Sequence, residues 1–538
     1  MSYTTLAFFV FLAAVTLLYY LFPGKQYRWV ILLAASCFFY LYASVRYAGY
    51  ILFTTLSAYG ATLWMERYST ARKATLAAHK QDWEKSVRKT YKKKTESTKR
   101  AMLALVLVLN FGLLAFLKFW NAGVEGLAEL LGAPQLSAMT LQLVLPLGIS
   151  FYTFQTMAYV IDVCRGKAEA EKNPLKLLLY VSFFPQIIQG PIGVWADLAP
   201  QLTEGHDFSY DNLKHGLELI LWGFFKKLVI ADRAVTALGF VTADYTQYSG
   251  ATLAFTLLVY ALQLYADFSG GIDISLGAAR ILGIEMAPNF RQPYFATSLT
   301  NFWQRWHISL GNWMKNYLFY PLALSDTGLA ITAKLSATRF GRTKAGSHIA
   351  HVLPTCIATF IVFFAVGIWH GVGWAYLGYG IYNGTVMALA TLLAPVFHWQ
   401  NERLHIREES VGLRMFRIVR TFLIVLIGNV CDLAPGLRAC ADWIARCFAD
   451  FRVSTAVEEI RTLSGWESAD YWILLGGAAV LFVVSVLRER KPTQSLRERL
   501  DGHGALRWAL ALGCLAAIVI FGTYGPGYSA ADFVYMQF

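Results

Sequence analysis

The sequence predicts an all-α, polytopic membrane protein, and three observations lead to that class. Hydrophobic residues make up 56 % of the 538 residues and charged residues only 15 %, against roughly 45–50 % and about 25 % in soluble domains. The mean hydropathy is +0.45. The apolar residues fall in long runs along most of the chain, where a soluble chain of this size would break into domains joined by polar linkers. Disordered, disulfide-rich secreted and ordinary cytosolic classes are thereby excluded. The net charge of +13 does not point to nucleic acid, because the cations cluster between the apolar runs in the way the positive-inside rule describes.

A spanning helix needs about 20 apolar residues. The first run, Leu6–Phe22, has no cation before it and no small-residue cleavage pattern after it. It reads as a membrane helix and not as a cleaved signal. Lys25 and Arg28 follow it, so the N-terminus is expected outside. Runs at 29–45 and 48–65 complete an N-terminal section, 1–66. Residues 67–100 carry twelve cations and three acids. They read as a basic cytoplasmic loop, a hairpin or helix drawn to anionic headgroups.

Runs at 101–120, 141–163, 212–231, 251–268, 350–370, 374–396 and 415–434 form a core, 101–434. Within it, 175–195 and 308–323 are short or interrupted by Pro and Gly. Such backbone survives at membrane depth only inside protein or beside a cavity, so 175–195 is expected to be re-entrant or half-helical. The loop 121–140 holds Glu125 and Glu129 and no cation, which turns it outward. Loops 164–176, 324–349, 400–420 and 488–507 are basic and turn inward. Residues 435–468 form an extracytoplasmic amphipathic segment. There Leu437, Cys440, Trp443, Ile444, Cys447, Phe448 and Phe451 share one helix face, expected to lie in the interface. Runs at 471–487 and 505–523 form a C-terminal section, 469–538. About 11–14 membrane segments result, re-entrant pieces included. The seven cysteines contain no C-x-x-C pair. Cys440 and Cys447 would lie about 10.5 Å apart on a helix, too far for a disulfide.

The common hydrolase, metalloprotease and nucleotide-binding signatures are missing. His348 and His351 have metal-like spacing without carboxylate or cysteine companions, so no metal is expected. What stands out is polarity inside apolar surroundings, since a charge at the bilayer centre costs about 2.5–3.5 kcal/mol on insertion scales. Asp267 and Asp273 qualify, either as functional groups or as ion pairs locking helices together. In Asn301–Leu310, Trp303, Arg305, Trp306 and His307 form either an interfacial anchor with a snorkelling arginine or a polar wall for an anionic or carbonyl-bearing ligand. His370 ends an almost purely apolar run, and Gly371 and Gly373 behind it allow close approach. It is either a packing histidine that merely hydrogen-bonds or a neutral imidazole able to take a proton from a hydroxyl.

Phe302-Trp-Gln-Arg-Trp-His-Ile-Ser-Leu310 and Gly367-Ile-Trp-His-Gly371 resemble the paired signatures of membrane-bound O-acyltransferases. The match is closest to the bacterial branch of alginate O-acetylation proteins and teichoic-acid D-alanyl transferases. Leu147–Gln155, Phe183–Ile192, Phe225–Arg233, Asp267–Gly270 and Pro288–Tyr294 add to it in the same order, over roughly residues 1–430. The resemblance implies a helical ring around a thin core with a central tunnel, a donor approaching from the cytoplasm and an acceptor outside. It maps the family's histidine onto His370 and its second polar position onto His307.

On that reading His370 is the general base. His307, Arg305 and backbone N–H groups near Gly371 are expected to stabilise the tetrahedral oxyanion. Substrate contacts are expected from Trp303, Arg305, Trp306, Asp267, Gln186, Trp369 and Asn383. No bound cofactor is expected. Acetyl-CoA is the expected donor, with Lys226 and Lys227 as phosphate contacts or plain membrane anchors. Expected partners are membrane lipids, an extracytoplasmic acyl-accepting or transferase protein, and a polysaccharide acceptor. The expected location is the cytoplasmic membrane. The sequence departs from the family pattern at Gly271, where members often carry Tyr, and at Asn383-Gly384, where many carry His-Gly. Beyond 430 it offers no clear counterpart. D-alanyl transfer to teichoic acid and a polysaccharide or lipid transporter remain as alternatives. Transporters usually show inverted repeats, and the sequence shows none.

Overall fold

A computed structural model describes residues 3–143, 145–462, 466–525 and 533. Parts of the sections 435–468 and 469–538, at 463–465, 526–532 and 534–538, lie outside the described residues. The described chain is helical and contains no strand. It forms two compact units, Met1–Leu217 with Ser275–Ala287 and Glu218–Ile274 with Pro288–Phe538.

The first unit opens with α1 (Leu6–Leu21), α2 (Arg28–Ala43), α3 (Ala48–Ala78) and α4 (Lys85–Leu130). The 46 residues of α4 extend about 69 Å, more than twice a hydrocarbon core. Its basic N-terminal half therefore continues a spanning helix beyond the apolar window. α3 and α4 form a hairpin closed by Arg72–Glu96 at 2.9 Å and by Asn110 Nδ2 donating to Ser57 Oγ at 3.0 Å. Next come α5 (Ile149–Arg165), α6 (Pro174–Ser182), α7 (Phe184–Ile187) and α8 (Trp195–Glu204). The stretch 175–195 is broken as its Pro and Gly require, and 179–192 is buried throughout. Gln155 and Gln186 satisfy its freed backbone: Gln155 donates to Tyr180 O at 2.6 Å and Gln186 to Pro191 O at 2.6 Å. α9 (Tyr210–Phe224) leaves this unit at Leu217.

The second unit continues α9 through a π-helical turn, Phe225–Ala231, into α10 (Asp232–Ala243). α11 (Gly250–Ile281) contributes its first 25 residues to this unit. The carboxylate of Glu459 sits at its N-terminus and accepts from Ser249 N, Ser249 Oγ at 2.8 Å and Thr252 Oγ1, as the helix dipole favours. Short α12 (Leu299–Trp303), α13 (Ile308–Met314) and α14 (Tyr320–Ala323) follow, with a second π-helical turn at Lys315–Phe319. After α15 (Asp326–Ala337), α16 (Lys344–His370) and α17 (Trp374–Leu392) form a tight hairpin. A Cβ on Gly367 would stand 2.5 Å from Tyr376 O, and one on Gly380 2.5 Å from Phe363 O. The two backbones meet only because both positions are glycine.

α18 (Ala394–Arg403), α19 (Val411–Leu433), α20 (Leu437–Ala449), α21 (Val453–Arg461), α22 (Ser468–Arg490), α23 (Leu496–Arg499) and α24 (Gly504–Phe521) complete the unit. The amphipathic face expected at 437–451 is divided in its contacts. Cys440 and Trp443 pack into the unit, Trp443 stacked on Tyr245 at 5.3 Å, while Phe448 and Phe451 are exposed. All seven cysteines are free.

Five described helices, α4, α11, α16, α22 and α24, are individually long and apolar enough to cross a membrane. Two bent pairs, α2 with α3 and α17 with α18, raise the count to seven. The larger number expected from the sequence includes pieces that are short or charged as helices. α1 has 16 residues and α5 has 17, while α19 carries Arg414, Arg417 and Arg420.

Candidate functional site

All the expected site residues except Gln186 lie in the second unit, and the motif Pro288–Tyr294 holds the segment around His307 in place. Asn289 staples it to the segment that follows α12. Ile308 N donates to Asn289 O at 3.0 Å, Ser309 N to Asn289 Oδ1 at 2.9 Å, and Arg291 N to Arg305 O at 2.9 Å. Gln292 and His307 both take left-handed backbone angles, φ 41° and 46°. Residues other than glycine hold that conformation only where their surroundings enforce it. His307 is 2 % exposed, and its Nδ1 stands 3.3 Å from Asn289 Oδ1. An amide oxygen only accepts, so this contact requires Nδ1–H and leaves the lone pair on Nε2. A neutral His307 in this tautomer accepts a hydrogen bond at Nε2. That differs from the oxyanion-donor role expected from the sequence.

His370 is the last residue of α16 and is half-buried. Its ring lies 5.5 Å from that of Tyr379, one turn into α17. Trp369 joins the two histidines: its ring is 5.1 Å from His370 and 6.2 Å from His307.

Each histidine lines its own cavity. His307 borders one of 510 Å³, whose wall also carries Trp303, Lys315, Thr355, Val366 and Met387, with exposed Arg291 contributing the second cation. That volume falls within the range of ligand pockets. His370 borders a chamber of 30 Å³ with Tyr260, Trp306, Tyr379, Asn429 and Asp432, room for one or two groups the size of water. The partition between them is one aromatic turn. Trp303 faces the large cavity and packs on Phe363 at 5.1 Å, while Phe302 and Trp306 face the chamber, stacked on each other at 5.6 Å.

A sequence model of the membrane-bound O-acyltransferase family matches residues 167–338. The chain is 30 % identical over 432 residues to a probable alginate O-acetylase of Pseudomonas aeruginosa, covering 80 % of this chain and 71 % of that protein. A probable alginate O-acetylase of Pseudomonas putida is 28 % identical over 547 residues, 98 % of each chain. A peptidoglycan O-acetyltransferase of Helicobacter pylori is 30 % identical over 56 % of this chain and 57 % of its own. The chain belongs to the membrane-bound O-acyltransferase family. The full-length alignment also supplies the counterpart beyond residue 430 that motif reading lacked.

The O-acyltransferase does not gather all its expected site residues in one place. Trp303, Trp306, His307, Trp369 and His370 surround the two cavities. Asn383 is buried one turn beyond Tyr379, its Nδ2 donating to Tyr379 O at 3.0 Å. Arg305 turns to Glu489 with both terminal guanidinium nitrogens, Nη1 at 2.7 Å and Nη2 at 3.3 Å. Its fork is engaged by a carboxylate, and neither Arg305 nor Glu489 lines either cavity. Asp267 pairs with Lys227 at 2.6 Å, and Lys227 also reaches Asp232 at 2.8 Å. Lys226 bonds Asp273 at 2.8 Å and Ser269 Oγ at 2.8 Å. Both lysines are buried in ion pairs, so they are neither loop anchors nor phosphate contacts. A π-helical turn turns the two consecutive lysines onto these carboxylates. Gln186 belongs to the first unit, where it bonds Pro191 O and Gln155.

Reading the sequence missed Asn289, Tyr260, Tyr379, Asn429 and Asp432. The last two were accessible to the same polarity argument, because they stand in the apolar run 415–434.

Proposed function

We propose that this membrane O-acyltransferase transfers an acetyl group from acetyl-CoA in the cytoplasm to a hydroxyl outside, in O-acetylation of a cell-surface polysaccharide. His370 is the general base in this reading. Its single strongest support is two cavities of unequal size, each bordered by one histidine, with both histidine rings packed near Trp369. Three relatives named for O-acetyl transfer support the acyl group and the acceptor class. The sidedness rests on charge: α16 and α19 both rise from basic loops and end at the chamber, with His370 and Asp432. Lys25 and Arg28 after the first apolar run likewise support an N-terminus outside the cytoplasmic membrane.

The large cavity receives the donor, and Arg291 and Lys315 meet its phosphates. Nε2 of His307 accepts an N–H from the donor's amide-bearing arm. The acceptor hydroxyl gives its proton to His370 as its oxygen attacks the thioester carbonyl. The tetrahedral oxyanion is met by backbone N–H groups in the first turn of α17, which begins after Gly373, a residue with no side chain to cap them. The C–S bond then breaks, and the thiolate recovers the proton from the imidazolium. The first acceptor is a hydroxyl on an extracytoplasmic partner protein, which passes the acetyl group to the polysaccharide.

Membranes carrying the protein are incubated with acetyl-labelled acetyl-CoA, and label in acceptor material is counted. His370→Gln keeps a hydrogen-bonding side chain but cannot take a proton, and general-base catalysis is worth about 10²–10⁴-fold. Incorporation should fall by that factor with expression unchanged. Turnover by His370→Gln at the wild-type rate refutes the base assignment.

A further inference from the structure

The chamber behind His370 holds polar groups that the reaction described above leaves without a task. Asn429 is 5 % exposed and lines the chamber. Among the described residues its Nδ2 has no hydrogen-bond partner. A buried amide donor left without a partner costs about 1–3 kcal/mol, so a fold that keeps one there has something for it to bind. Beside it stands Asp432, whose carboxylate accepts from the Tyr260 hydroxyl. All three line the same 30 Å³ space as His370. That volume has room for one or two groups the size of a hydroxyl.

We propose that this chamber is the subsite for the attacking hydroxyl, with Asn429 as a substrate-contacting residue and Asp432 as a positioning residue. A hydroxyl has one proton to give and lone pairs that accept. Held in the chamber, it gives its proton to His370 while its oxygen accepts Nδ2–H from Asn429. The remaining lone pair is then directed at the donor carbonyl. The O–H bond breaks, the C–O bond forms, and the C–S bond of the donor breaks as the intermediate collapses. The proton passes through His370 to the departing thiolate. Asp432, held by the Tyr260 hydroxyl, stands on the same wall and fixes that side of the chamber beside Asn429. The proposal rests on the acetyl-transfer reading and adds the acceptor side of its site.

The test uses full-length protein in membranes, acetyl-labelled acetyl-CoA, and two substitutions of opposite logic. Asn429→Leu keeps the branched four-atom skeleton and loses the donor. Asn429→Gln keeps the donor on a longer arm. Label incorporation should fall about 10²-fold in Asn429→Leu and less in Asn429→Gln. Binding of labelled CoA should be equal to wild type in both. A residue that only packs gives the reverse order, because Leu fits its space and Gln does not, and that order overturns the subsite. So does wild-type incorporation by Asn429→Leu, or a loss of CoA binding that parallels the loss of transfer. If wild-type membranes incorporate no label, the acetyl-transfer reading itself fails, and the subsite with it.

Discussion

Lys227 provides the sharpest test of how this fold is held together. Its ammonium stands 2.6 Å from Asp267 and 2.8 Å from Asp232, and all three side chains are at most 1 % exposed. At an effective dielectric constant of about 20, each contact is worth about 6 kcal/mol of gross attraction. Desolvation and repulsion between the two carboxylates offset most of it. Lys227→Met removes the cation and keeps the stem, so both carboxylates lose their shared counter-ion in the core. Breaking a buried pair in this way costs about 3–5 kcal/mol. The purified variant should show a markedly lower unfolding midpoint in detergent and poor recovery as a monodisperse species. Lys226→Met should be milder, because its partner Asp273 is 16 % exposed and can turn to water. Adding Asp267→Asn and Asp232→Asn to Lys227→Met should restore much of the midpoint, since a neutral set carries no stranded charge. Retention of the wild-type midpoint by Lys227→Met, with a raised KM for acetyl-CoA, would refute this reasoning and return the lysine to a phosphate-binding role.

Three further outcomes follow from particular contacts. Asn289→Asp, which keeps an accepting oxygen against His307 Nδ1, should retain more transfer than Asn289→Leu; the difference, about tenfold, should appear in the KM for donor, and equal KM values would remove the tautomer argument. A Cβ on Gly371 would meet Tyr376 Cε2 at 2.3 Å. Gly371→Ala should therefore lower turnover by about tenfold or more through overpacking beside His370, and Tyr376→Leu in the same chain should recover part of it. Cysteine at Ser86 in a cysteine-free background should react with an impermeant maleimide only after the membrane is opened, because 67–100 carries twelve cations; labelling in intact cells reverses the sidedness of acyl flow.

Sequence alone determined what depends on local composition and spacing. Apolar runs of spanning length and 15 % charge define an all-α membrane protein, because only helices satisfy their own backbone in lipid when no alternating strand pattern is present. Pro185, Gly190 and Pro191 marked 175–195 as broken helix for the same reason. Polarity inside apolar surroundings, and the family resemblance carried by two motifs, singled out Trp303, Trp306, His307 and His370, which stand at or beside the cavities. What sequence could not show is where a side chain finds its partner. Asp267 and Lys227 are 40 residues apart, Arg305 and Glu489 are 184 apart, and neither pairing has a period to read. Lys226 and Lys227 looked like the end of a helix at the membrane face. A π-helical turn, invisible in residue type, moves them into the core. The tautomer of His307 depends on Asn289, 18 positions earlier, and the chamber exists only where α11, α16, α17 and α19 converge. Local free energy writes the helices into the chain, but the meeting of polar groups inside them is a property of packing, and packing is settled between residues far apart in sequence.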